Sequence, residues 1–127
     1  MKNTIVAGSS DSADNGGASL NCDNPGVTLA SGGHNLIGDN SCVNGSNPTD
    51  IRNTNPMLSF IHNNGGPTDT LLPVTGSPVI DAADNSGCPA IDQRGVARPV
   101  GSACDIGAVE FRLIDNGNGV YLPITRK

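Results

Sequence analysis

The chain has 127 residues, a formal net charge of −5 and a pI near 4.6. Gly (17) and Pro (9), with Asn, Ser and Asp, make up about half of it and disfavour helix interiors, which excludes a helical bundle or coiled coil. No apolar run approaches the ~18 residues that span a bilayer, and an acidic chain without clustered Lys and Arg is unsuited to nucleic acid.

Strand-like runs are short, and turn residues stop each of them. In chain order they are Thr4-Ile5-Val6-Ala7, Gly26-Val27-Thr28-Leu29-Ala30, His34-Asn35-Leu36-Ile37, Thr70-Leu71-Leu72, Pro78-Val79-Ile80, Asp105–Phe111 and Gly119–Ile124. Asp105–Phe111 is the longest alternating segment. The one helical candidate is Asn55–Ile61, with Asn55 as cap, Pro56 at the first helical position, and Met57, Leu58 and Ile61 on one face. The aromatic residues are Phe60, Phe111 and Tyr121, so a core has to come from Val, Ile, Leu and Ala. Such runs suit a parallel β-solenoid. A β-sandwich, the competing all-β reading, wants longer strands and more aromatic core.

Cys22, Cys42, Cys88 and Cys104 include no C-x-x-C pair, so zinc-ribbon and thioredoxin readings fail. An even count in a loop-rich chain reads as two disulfides, although four cysteines allow three pairings. Cys22–Cys42 and Cys88–Cys104 are favoured because each pair brackets one loop-rich stretch; four buried free thiols are the alternative. Disulfides imply an oxidising compartment. Met1-Lys2-Asn3 precedes no signal-peptide core, so the expectation is a fragment of a longer secreted protein with Met1 added to start it.

Six motifs occur in order: Asn3–Gly8, Ser31–Gly38, Asn64–Thr70, Gly76–Ala82, Asp92–Pro99 and Cys104–Phe111. This series resembles the C-terminal end of bacterial choice-of-anchor Q domain proteins, large surface proteins built on right-handed parallel β-helices. The resemblance covers residues 3–111. It implies an all-β chain, the terminal coils of such a helix closed by a loop-rich cap, at the cell surface or secreted, with no established enzymatic activity. Residues 1–111 would form the coils and the disulfide-stapled cap. Residues 112–127 would stand where the family's varied anchoring segments follow.

Within the cap motifs, Asp81, Asp92, Asp105, Arg94 and Arg98 are expected to form a structural salt-bridge network, since the arginine fork binds carboxylates bidentately. A carbohydrate site is the alternative for these five residues. A polysaccharide lyase or hydrolase would need paired carboxylates. Asp11 with Asp14, and Asp81 with Asp84, are close in sequence but have no partner the sequence can place. Asp11–Gly16 and Asp115–Gly119 read as turns, because neither has EF-hand spacing. His34 and His62 lack companions at zinc-ligand spacing. Asn44-Gly45-Ser46 matches the glycosylation sequon and reads as a turn. No cofactor is expected.

The expected function is therefore structural and adhesive, as part of a secreted surface protein or fibre, with a carbohydrate-active β-helix fragment as the alternative. The expected partners are upstream β-helix coils of a parent protein or other copies of the chain, joined head-to-tail. For the second case, Thr4, Ile5 and Val6 would offer an open strand edge. Val120, Tyr121, Leu122 and Ile124, beyond the Asn116–Gly119 hinge, would supply the strand that covers it.

Overall fold

A computed structural model describes residues 1–9, 20–22, 29–42, 47–115 and 121–123. Its β-structure consists of very short strands, because Gly, Asn or another turn-former follows each within a few positions. Three of them, β1 (Ile5–Val6), β2 (Leu36–Ile37) and β3 (Ile51–Arg52), form a parallel sheet in the order β1-β2-β3. Ile5 lies opposite Leu36 and Leu36 opposite Ile51; Val6, Ile37 and Arg52 align in the same way.

Alternation along a strand sends these two rows to opposite faces. Ile5, Leu36 and Ile51 pack with Val79, Ala83, Cys104 and Ile106, while Ile37 and Val6 pack with Cys42, Cys22 and Met1. Both central residues, Leu36 and Ile37, are fully buried, so the sheet is covered on both sides, as parallel sheets generally are.

A polar row runs beside the aliphatic ones. Asn35 is completely buried. Its Oδ1 accepts from Thr4 N (3.1 Å), and its Nδ2 donates to Asp50 Oδ1 (2.9 Å) and Ser31 Oγ (3.1 Å). Asp50 Oδ1 also accepts Asn35 N, and Asp50 Oδ2 accepts Ser31 Oγ–H at 2.5 Å. One asparagine thus ties the starts of three successive strands together.

Residues 57–74 fold as an irregular hairpin, with Leu58 opposite Pro73 and His62 opposite Thr70. Residues 77–111 then wrap the open face of the sheet. Ile106 N donates to Val79 O, Ala83 N to Cys104 O and Gly107 N to Asn3 O. Gly107 has a φ of +106°, and a Cβ there would come within 2.8 Å of Ile5 Cδ1, so only glycine lets this segment approach β1. Disulfides join Cys22 to Cys42 and Cys88 to Cys104, the pairing the loop-bracketing argument favours. Finally β4 (Leu113–Asp115) pairs antiparallel with β5 (Tyr121–Pro123).

Several expectations need correction. Asn55–Ile61 is not a helix: Asn55 Oδ1 accepts Met57 N, Met57 has a φ of +51°, and Leu58 bridges to Pro73. The asparagine therefore closes a local turn, a role that competes with helix capping. Asp105–Phe111 is not a strand, because its carboxylates and the positive φ of Gly107 bend it. Pro78–Ile80 is a turn. The apolar residues of Thr4–Val6 are half-buried, Ile5 under the 77–111 segment and Val6 on the other face beside Ile37 and Cys42. The readings at Asp11–Gly16, Gly26–Thr28, Asn44–Ser46, Asn116–Gly119, Val120 and Ile124 lie outside the described residues.

Candidate functional site

Asp92, Arg94 and Arg98 of the cap converge on the chain's single glutamate, Glu110. Residues 91–97 make a tight reversal, with Ile91 opposite Ala97, Gly95 at φ +83° and Gly95 N donating to Asp92 O. This brings Arg94 back over Asp92. Arg94 Nη2 and Nε donate to Asp92 Oδ2 at 2.7 and 3.0 Å, and Nη2 also donates to Glu110 O at 2.6 Å. Asp92 Oδ1 accepts Arg94 N and Val96 N, while Oδ2 accepts Glu110 N.

The second pair is Arg98–Glu110, with Nε to Oε1 at 2.6 Å. Arg98 Nη2 donates to Asp105 O and Gly107 O. Glu110 Oε1 accepts Asp105 N and Oε2 accepts Val100 N, both at 2.9 Å. The side chains of Asp92 and Glu110 are fully inaccessible, and those of Arg94 and Arg98 are 4% and 6% exposed. The backbone of Glu110 meets the first pair and its side chain forms half of the second, so this residue links the two.

Asp92, Arg94 and Arg98 are thus brought together. Among the described residues, the carboxylates of Asp105 and Asp81 form no ion pair with an arginine; Arg98 reaches only the Asp105 carbonyl. Asp105, 3% exposed, accepts Asp81 N at 2.8 Å and Phe111 N. Exposed Asp81, at φ +55°, accepts Ala103 N at 2.9 Å. Both serve as acceptors for loop backbone. An aspartate reaches its own neighbouring loops, whereas the longer glutamate reaches across to Arg98.

The local fields differ. Burial works to raise the Asp92 pKa, but donation from Glu110 N, the Arg94 side chain, Val96 N and Arg94 N outweighs it and holds the carboxyl below its ordinary range. At Asp105 burial prevails. It is reinforced by the charges of Glu110 and Asp81, and the pKa is raised despite the two backbone donors. A third contact fastens the cap to the chain's start. Lys2 Nζ lies 2.6 Å from Asp84 Oδ2, while the Asn3 side chain exchanges hydrogen bonds with the Asp84 backbone, Nδ2 to O and N to Oδ1.

Sequence reasoning missed Glu110, Asn35 and Asp50. Glu110 carried one signal, as an isolated acid inside an alternating segment. Asn35 carried another, as an amide interrupting an aliphatic run. Among the described residues no group of His, Cys, Asp or Glu is arranged to hold a metal. Two cavities adjoin the cap. One, of about 580 Å³, lies between β1 and the 57–74 hairpin. The other, of about 320 Å³, lies beside the Cys88–Cys104 disulfide. The carboxylates of Asp92, Asp105 and Glu110 are already engaged by fixed donors, an arrangement that holds loops in place, and the lowered pKa of Asp92 leaves it little basicity for proton transfer.

No family model, curated protein or solved structure matches this chain.

Proposed function

We propose that the chain is a non-enzymatic structural part of an extracellular bacterial protein, comprising the terminal coils of a right-handed parallel β-helix and the cap that closes them. The observation that carries this reading is the stack β1-β2-β3. Successive strands lie parallel and in register, with an aliphatic row on one face and the Asn35 row at its start. Two disulfides suit an oxidising exterior, and no helix among the described residues is long and apolar enough to cross a membrane. The carboxylates of Asp81, Asp92, Asp105 and Glu110 hold loops through backbone donors, which favours a scaffold or adhesive segment over a carbohydrate-active one.

The test has two arms. Antibody raised to the intact chain should label unbroken cells or shed fibres of the source bacterium; labelling that requires lysis would overturn the extracellular assignment. The purified chain, incubated with neutral and acidic polysaccharides with and without calcium, should release no reducing or unsaturated ends. Release that disappears in Asp92→Asn or Asp105→Asn would establish the carbohydrate-active alternative.

A further inference from the structure

Each strand of the β1-β2-β3 stack is joined to the one before it by the same set of bonds. Leu36 N donates to Thr4 O at 2.9 Å, and Ile51 N donates to Asn35 O at 2.7 Å. The register aligns Ile5, Leu36 and Ile51, so Thr4, Asn35 and Asp50 hold the equivalent place one residue earlier. At that place the side chain of the later strand accepts the backbone N–H of the earlier one. Asp50 Oδ1 takes Asn35 N at 3.0 Å, and Asn35 Oδ1 takes Thr4 N at 3.1 Å. Every one of these bonds reaches back to the preceding strand in chain order.

The outer edge of β1 carries the same groups. Thr4 O and Val6 O face β2, so Ile5 N–H and C=O point the other way, as alternate groups of a parallel strand do. Among the described residues, neither has a hydrogen-bond partner. Thr4 Oγ1 donates to Lys2 O at 2.8 Å, and the lone pairs of the hydroxyl are left to accept a donor. Thr4 and Ile5 both line the groove of about 580 Å³ between β1 and the 57–74 hairpin, whose apolar wall includes Leu58, Leu71, Pro73 and Val109. Leu71 is 43% exposed. The groove therefore extends the aliphatic row beyond Ile5.

We propose that the β1 edge receives a parallel strand of a preceding coil, in a register fixed by three bonds. The residue opposite Ile5 is aliphatic and enters the groove. The residue before it accepts Ile5 N–H on its carbonyl and donates its own N–H to Thr4 Oγ1. The residue after it donates its N–H to Ile5 O. A slip of one residue would turn the wrong face into the groove. Main-chain bonds supply the affinity and the groove supplies the selectivity, as in other cases of strand addition. The occupant is a preceding coil because the bonds have a direction: each later strand reaches back to an earlier one. The proposal rests on the reading of the stack as β-helix coils and adds what the first of them takes; a failed capture would leave the cell-labelling result unchanged.

Amide exchange followed by NMR on the intact chain tests it. The probe is a capped peptide copying residues 33–38, Gly-His-Asn-Leu-Ile-Gly, a strand that this chain already stacks against β1. In the free chain Ile5 N–H should exchange at least about tenfold faster than Val6 N–H, which the ladder to β2 protects. Peptide at millimolar concentration should slow Ile5 and leave Val6 as it was. The same peptide with Ile37→Pro loses the donor to Ile5 O and should bind at least about tenfold more weakly. In the chain, Thr4→Val should weaken binding about two- to tenfold, and Leu71→Asp by about tenfold. Phe60→Ser alters a 94% exposed aromatic that is not among the groove's lining residues, and it should change nothing. Equal protection of Ile5 and Val6 in the free chain, no response of Ile5 to the peptide, or equal binding of the proline peptide would each overturn the proposal. Protection of Ile5 that grows with the chain's own concentration, without peptide, would assign the edge to a second copy and overturn it as well.

Discussion

At Arg98 the guanidinium reaches three acceptors on the 105–110 stretch, Glu110 Oε1 and the carbonyls of Asp105 and Gly107. Arg98→Ala would leave the inaccessible Glu110 carboxylate without its cation, a loss on the order of 3–5 kcal/mol for a buried pair. Arg94→Ala should cost a similar amount through Asp92. Because Glu110 joins the pairs, the double variant should lose less than the sum of the two, which a urea-denaturation cycle will measure. Arg98→Lys should recover little, since an ammonium cannot serve Glu110 and two carbonyls with the same geometry.

Acid acts on these residues with opposite signs. Asp92 and Asp50 have folded-state pKa values below the ordinary one, so their stabilisation is complete at neutral pH and is lost as pH falls through the carboxylate range. Asp105 has a raised value. Its charge costs stability at neutral pH, and the cost is relieved as pH falls through that raised value. Urea midpoints should therefore hold level or rise slightly as pH falls from neutrality toward the ordinary carboxylate range, then drop steeply once pH falls below it. A steady decline from neutrality would show that Asp105 is not penalised.

Among the elements, β2 is the most constrained, paired on both edges and covered on both faces. Its amides should be the slowest of the sheet to exchange with deuterium. Asn35→Leu preserves approximate size but strands Thr4 N–H and one side of Asp50. A loss of roughly 1–3 kcal/mol is expected, with faster exchange in all three strands, visible by hydrogen-exchange mass spectrometry. β1 and β2 are legible in the sequence because each is an aliphatic pair followed closely by glycine. β3 is not, since Ile51 is one apolar residue between Asp50 and Arg52, and only its neighbours in space make it a strand. Asp105–Phe111 shows the opposite failure. Its alternation is real, yet the buried acids answer to Arg98 and to loop N–H groups rather than to a pairing strand. The arginines could be read as partners of acids, but the choice of Glu110 over Asp105 depends on side-chain reach across a fold the sequence does not display.

For the molecule as a whole, the two disulfides divide the work. Cys22–Cys42 closes 20 residues of separation beneath Ile37, and Cys88–Cys104 closes 16 within the cap. Chain-entropy arguments give each about 3 kcal/mol. Cys42 packs with Ile37, and Cys104 belongs to the larger core around Leu36. Each double Cys→Ser variant therefore adds lost packing to lost cross-linking, and Cys88→Ser/Cys104→Ser should melt lower than Cys22→Ser/Cys42→Ser because it disturbs the larger cluster. Equal melting temperatures by calorimetry would assign Cys104 no greater packing role than Cys42.

The contact between Asn3 and Asp84 spans 81 residues of sequence. During synthesis, the strands β1, β2 and β3 all emerge well before Ile106 and Gly107, the residues that cover Ile5. For that interval the nascent chain carries an uncovered aliphatic row, so the order of synthesis makes residues 77–111 the cover on strands made before them. A ribosome stalled before residue 104 would leave a species prone to stick to its neighbours. Closure of the Cys88–Cys104 disulfide likewise waits for Cys104, and a chaperone that shields the early strands would matter most until residues 104–107 emerge.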